Sequence, residues 1–189
     1  MKNNLLSRYK VKQRRKKGPA VRLDFSCRHD DELDLLLEKN VSLFACCAEK
    51  MYDEVWPRWR MYGIVQVSLR TLHADEMSEI NAEFRKIDAP TDVLTFPMYE
   101  QNGVFVPEER PLPILLGDIV LCPAEIRKNA AAHNVTVLSE LALVVFHGLL
   151  HLLAWDHDTP EKEKNMWNVQ ERYRDRFLAE SDNNVEKRS

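Results

Sequence analysis

The sequence has no acidic residue before Asp24, no CxxC pair, and no apolar run near the ~20 residues that span a bilayer. Each absence excludes something. Without a spanning run the chain is not expected in a membrane. Without an apolar core behind its N-terminal charges it is not expected to carry a secretory signal. The four cysteines, Cys27, Cys46, Cys47 and Cys122, lack the spacing of a metal knuckle and are expected to be reduced, mostly core residues of a cytoplasmic protein. No internal repeat and no second domain is evident.

What is present is ordinary for a globular chain. At 189 residues, 44% hydrophobic and 30% charged, it suits one domain able to bury a proper core. The net charge of −3 conceals an asymmetry: the first 23 residues carry +9 and the remainder −12. Most of the positive charge lies in "RYKVKQRRKK", residues 8 to 17. Residues 1–18 therefore read as a basic arm, either a disordered leader or a grip on phosphates, with a transit peptide a weaker alternative. Residues 19–181 read as the domain, and 182–189 as a polar tail.

Apolar periodicity orders the domain. "AVRLDFSC" alternates as a half-buried strand, Asp31 to Tyr52 steps as a helix, and "YGIVQVSLR" (62–70) alternates again. A helix over 73–85 and a short edge strand over 91–97 follow, the latter bounded by Pro90 and Pro97. Residues 98–113 read as a loop, and "ILLGDIVLC" as a strand interrupted at Gly117–Asp118. Pro123 opens a helix reaching about Asn134, Thr136 to Leu153 forms a strongly apolar helix, and Thr159–Pro160 caps a last one. That last helix turns Met166, Val169, Tyr173 and Phe177 inward. The expected fold class is α+β: a single small mixed β-sheet of about four strands packed with about five helices on one face.

Within the apolar penultimate helix and the turn after it stands "HGLLHLLAWDH", residues 147 to 157. Burying unpartnered imidazoles costs roughly 1–3 kcal/mol per unsatisfied polar group, so something must compensate. His147 and His151, at i and i+4, share one helix face and can reach a single cation. His157 can join them if the chain folds back. The H-x3-H-x5-H spacing equals that of zinc proteases with an HExxHxxGxxH signature, and three imidazoles leave a fourth tetrahedral position for water. Position 148 is glycine where the protease keeps its general-base glutamate, which argues against peptide hydrolysis. Ala154 stands where the turn favours glycine, at a cost of about 1–2 kcal/mol if its conformation is left-handed. The alternative is three unrelated core histidines, which the apolar surroundings disfavour.

"HGLLHLLAWDH" closely resembles the H-G-x-L-H-L-x-G-[YW]-D-H signature of the YbeY endoribonucleases, a bacterial and organellar family of rRNA-maturation factors. "NAEFRKIDAPTDVLTFP" (81–97) is similar to the family's N-x-x-[FY]-R-x-x-D-x-P-T-[DN]-V-L-S-F-P, and "LGDIVLCP" (116–123) to its L-G-D-[IL]-x-[IL] strand. The resemblance implies an α+β fold, one Zn²⁺ per chain held by His147, His151 and His157, and cleavage of single-stranded RNA. It further implies a role in small-subunit rRNA maturation and ribosome quality control, and it places the family's functional arginine at Arg85. Ala154 and Thr95 depart from the family's glycine and serine. The basic arm is an extension to which nothing transfers.

The chemistry is coherent on its own terms. A tri-histidine zinc lowers the pKa of bound water to about 7. Phosphodiester cleavage builds charge on nonbridging oxygens, which a guanidinium fork such as that of Arg85 matches. Asp92, Asp118 and Asp156 are candidates to orient a ligand imidazole, though Asp118 after glycine also reads as a turn former and Asp92 before Val-Leu as a cap. The expected partners are RNA, as rRNA precursors, and the ribosome or its small subunit, with no membrane and no DNA. Two other readings stay open: a ribosome-assembly or RNA-binding factor with a structural metal, and a metal-dependent hydrolase on another substrate.

Overall fold

Val21 and Leu23 point inward from the first strand, β1 (Ala20–Ser26), in the computed structural model, which describes residues 18–26, 32–109 and 113–186. The basic arm up to Lys17 lies outside the described residues. Leu33, Leu37, Val41 and Phe44, spaced four, four and three residues apart, give α1 (Glu32–Val55) one continuous apolar stripe. A 3-10 turn over Pro57–Tyr62 leads into β2 (Ile64–Thr71), where Val65, Val67, Leu69 and Thr71 alternate into the interior. α2 (Ala74–Arg85), β3 (Val93–Pro97), β6 (Ile114–Leu121), α3 (Pro123–His133), α4 (Val137–His151) and α5 (Pro160–Glu186) complete the main elements, with a small hairpin of β4 (Glu100–Gln101) and β5 (Val104–Phe105) before β6. α5 thus continues into the segment expected to be a polar tail.

The sheet runs β1-β2-β6-β3. β1, β2 and β6 are parallel and β3 is antiparallel to β6, so the sheet is mixed. β3 lies at the edge, where Pro97, lacking an N–H, is tolerated. One face of the sheet meets α1 and α4, and α5 packs on those two helices to complete the main core, where Phe44 stacks on Phe177 with ring centroids 4.0 Å apart. No single described helix is long and apolar enough to cross a membrane; α3 and α4 qualify by length and composition only as a pair bent by 115°.

The expected interruption of β6 at Gly117–Asp118 is a β-bulge. Ile114 and Leu115 pair with Val65 and Gln66, whereas Ser68 already pairs with Asp118, leaving two residues of β6 against Val67. The bulge resets the alternation: Ile114 and Leu116 face the core before it, and Ile119 and Leu121 after it. Gly117 has φ +146°, and a Cβ there would lie 2.1 Å from the Phe96 carbonyl oxygen. Gly117→Ala is therefore expected to cost at least about 2 kcal/mol, read as a lowered midpoint in denaturant unfolding. A variant of wild-type stability would show that the strand does not need this bulge.

Two expectations are corrected. Helices do not keep to one face. Val120 turns away from Ile119 and Leu121 and packs with Leu94, Leu72 and Met77, so α2 covers the opposite face beneath β3 and β6. Apolar residues on both faces of these strands need cover on both. Nor is 98–113 only a loop. Asn102 and Gly103, at φ +53° and +76°, supply the two positive-φ positions of a tight hairpin turn between β4 and β5. Phe105 then docks edge-on against Trp56, centroids 5.0 Å apart.

Candidate metal centre

α4 owes its start to Thr136, whose hydroxyl accepts from the Ser139 N–H at 3.1 Å. Gly148 lets the helix sit close on β6: a Cβ there would come within 3.0 Å of Ile119 Cδ1. Position 148 thus faces the sheet, and a glutamate there would be driven into the core. His147 and His151 emerge on another side of α4, each partly buried, and His157 is exposed.

The fold-back that His157 requires is a Schellman turn. Trp155 N donates to Leu150 O at 3.2 Å and Ala154 N to His151 O at 2.9 Å, with Ala154 left-handed at φ +57°. The turn carries the Trp155 carbonyl onto His151 Nδ1, 2.8 Å away. Ala154 bears the strain expected for an L side chain in this region. Ala154→Gly should relieve it and raise stability by up to about 1 kcal/mol after the extra entropy glycine loses on folding. Equal unfolding midpoints for the two proteins would show that the turn is unstrained.

The hydrogen-bond partners fix the tautomers. A carbonyl oxygen only accepts, so His151 carries its proton on Nδ1, and its Nε2 presents a lone pair. His147 Nδ1 likewise donates to Gln170 Oε1 at 2.8 Å, leaving Nε2 unprotonated. These two Nε2 atoms face each other at 3.0 Å. Two lone pairs this close repel unless a cation lies between them. A proton is a poor candidate: burial foremost, then the charge of His147, holds His151 down to about 4, and burial lowers His147 as well. His157 adds a third donor, all three ligand atoms lying within 4.8 Å of one another. Imidazole nitrogens with lone pairs converging on one point are a donor set for a divalent metal.

Without a bound metal, the same burial makes the fold acid-sensitive. The folded-state value of His151 lies below the ordinary imidazole value of 6.5, so the unfolded chain takes up the proton first. Stability of the metal-free protein should fall as pH drops below 6.5 and level off below about 4. Denaturant unfolding at a series of pH values checks this, and a flat profile between 6.5 and 4 would contradict it.

Arg85 is the last residue of α2, exposed, with Lys86 behind it in a left-handed cap at φ +62°. Buried Asn81 holds that end: its backbone oxygen accepts from Lys86 N, and its Nδ2 donates to Ala89 O at 2.7 Å. From there the Arg85 charge reaches His147, helping to lower its pKa, while the Asp92 carboxylate acts on the same ring in the opposite sense. Among the described residues, Asp92 and Asp156 hydrogen-bond to groups other than a motif imidazole. Asp92 accepts from Asn129 Nδ2 at 3.2 Å and from Val93 N at 2.8 Å, tying the segment before β3 to α3. Asp118 sits at the bulge opposite Phe96, and Asp156 accepts from the backbone N of His157 at 2.8 Å. The positions expected for them are taken by Gln170 and the Trp155 carbonyl. Gln170 had a visible signal: it is a polar residue four positions after Met166, within the apolar stripe of α5, and only 2% exposed.

The model of the family described as Endoribonuclease YbeY matches residues 36–178, three quarters of the chain. The chain belongs to this family. Among curated YbeY relatives, the protein named Endoribonuclease YbeY from Mycobacterium ulcerans (strain Agy99) is 39% identical over 116 residues, 61% of this chain and 65% of that one. The protein of the same name from Mycobacterium tuberculosis (strain ATCC 25177 / H37Ra) is 38% identical over 116 residues, again 61% of this chain and 66% of that one. The chain thus spans slightly less than two thirds of the length of these YbeY relatives. The solution structure of TM1509 from Thermotoga maritima is similar in fold, with a TM-score of 0.53 at 30% identity over 87% of this chain and 93% of that one. The three motif histidines, Arg85, Asp92 and Gln170 all fall within the residues that the YbeY family model covers.

Proposed function

We propose that this protein is a zinc-dependent endoribonuclease that cuts single-stranded RNA, acting on rRNA precursors in small-subunit maturation and ribosome quality control in the cytoplasm. The observation that carries the reading is the pair of opposed Nε2 lone pairs of His147 and His151, 3.0 Å apart and joined by His157, which calls for a metal ion. The family membership supplies the substrate class, since curated relatives are named endoribonucleases.

Zinc in this set would supply a Lewis acid and a water of lowered pKa near neutral pH. The chain's own residues do the rest. Gln170 and the Trp155 carbonyl lock both rings with Nε2 toward the cation, so no reorganisation is needed when substrate arrives. Arg85, on the turn closed by Asn81, presents a planar fork to a phosphate and balances charge that develops on nonbridging oxygens. Among the described residues the cluster has three members and one of them is exposed, which favours an open, catalytic site over a closed structural one. Metal analysis of the purified protein together with cleavage of single-stranded and duplex RNA tests the proposal. About one zinc per chain and cutting of the single strand are expected. Absence of bound metal, or cleavage indifferent to its removal, would overturn it.

A further inference from the structure

Beside the three histidines lies a pocket of about 170 Å³ lined by His147, His157, Glu163, Met166, Trp167 and Gln170. Its far wall is one face of α5. Glu163, Met166, Trp167 and Gln170 stand at i, i+3, i+4 and i+7, which brings them together on the first turns of the helix. Met166 and Gln170 are almost fully buried, whereas Trp167 leaves 49% of its surface open, far more than Trp56 at 9% or Trp59 at 0%. An indole held by a rigid helix, exposed at the mouth of a pocket that shares two walls with the histidine cluster, has no packing purpose that the fold reveals.

We propose that this pocket is a nucleobase subsite, in which Trp167 stacks on the base next to the phosphate being cut; the inference rests on the endoribonuclease reading above. Its chemistry selects a base over the other parts of an RNA chain. The Glu163 carboxylate repels a phosphate and accepts from the N–H donors of a base edge. The Met166 and Trp167 surfaces are apolar, which suits a ring and not a hydrated backbone. Base stacking on an aromatic side chain tolerates any sequence because every base has a π-face, and this matches an enzyme whose selectivity is for unpaired strands. A base inside a duplex is already stacked on both sides and cannot enter. Trp167 is therefore a positioning residue: it fixes the strand so that the neighbouring phosphate lies at the histidine cluster.

The test uses the metal-loaded protein and a short single-stranded RNA of mixed sequence, measured under single-turnover conditions. Trp167→Ala should raise the half-saturating protein concentration by roughly 10-fold, the scale of one lost base stack, and change the rate at saturation much less. Trp167→Phe should keep near-normal binding while losing the fluorescence quenching that RNA causes in the wild type. A purely structural role for the indole would not tie the loss in Trp167→Ala to one nucleotide of the RNA. Replacing single nucleotides of the RNA by abasic ones should weaken wild-type binding most at one position, and that position should no longer matter to Trp167→Ala. Wild-type half-saturation in Trp167→Ala, with the abasic profile unchanged, overturns the subsite and leaves the endoribonuclease reading standing. If the wild type neither binds nor cuts the RNA, the endoribonuclease reading fails and the subsite fails with it.

Discussion

His151→Ala protein is expected to keep less than about a tenth of the wild-type zinc after dialysis and to lose RNA cleavage with it. Outer partners of a metal ligand already change affinity by roughly 10–100-fold, and removing one of only three ligands must cost more. The fold should survive the change. The turn that follows α4 is held by backbone bonds, Ala154 N to His151 O and Trp155 N to Leu150 O, which do not involve the imidazole. The variant also removes one of two lone pairs that face each other at 3.0 Å, so the metal-free states of variant and wild type should be close in stability. Elemental analysis with a far-UV spectrum separates metal loss from unfolding. Full metal occupancy in a folded His151→Ala protein would place the ion elsewhere.

Arg85→Ala should lower the rate of RNA cleavage by about 10²–10³-fold, the scale observed when one preorganised donor to a developing oxyanion is removed. Metal content should be unchanged, because Arg85 contacts the site through charge and not through a ligand bond. Arg85→Lys should recover little of the loss, since an ammonium lacks the paired N–H groups that match two phosphate oxygens. Both variants are expected to unfold near the wild-type midpoint, Arg85 being exposed at a helix end. Undiminished cleavage by Arg85→Ala would remove this residue from the reaction and leave the charge stabilisation to the metal alone.

The histidine cluster was legible because its evidence is local. An i, i+4 pair is fixed by helix geometry, and the third histidine needs only the tight turn that Ala154 makes at φ +57°. What escaped the sequence depends on distance along the chain. Gln170 reaches His147 across 23 residues, and no spacing rule connects them. The three aspartates near the motifs were reasonable orienters of imidazole, yet two of them bind elsewhere, Asp156 on the N–H of His157 and Asp92 on that of Val93 and on Asn129 Nδ2. The same division holds for the fold. Alternation gave β2 within two residues at its start and one at its end, and the step of three and four gave α1. The second covered face of the sheet was hidden, because a continuous run such as Ile119–Val120–Leu121 does not say which of its residues turns toward α2. The hairpin at Asn102–Gly103 carried a readable turn dipeptide, but its strands of two residues each are too short to alternate.

If RNA cleavage runs through a metal held by His147, His151 and His157, activity must follow the metal. The most direct test is the cleavage rate of the wild-type protein on single-stranded RNA in three states: as purified, after chelation with zinc removal verified by elemental analysis, and after restoring one equivalent of zinc. Cleavage should vanish in the second state and return in the third. Cutting that continues at the original rate with the zinc gone would show that the three histidines do not carry the reaction through a metal.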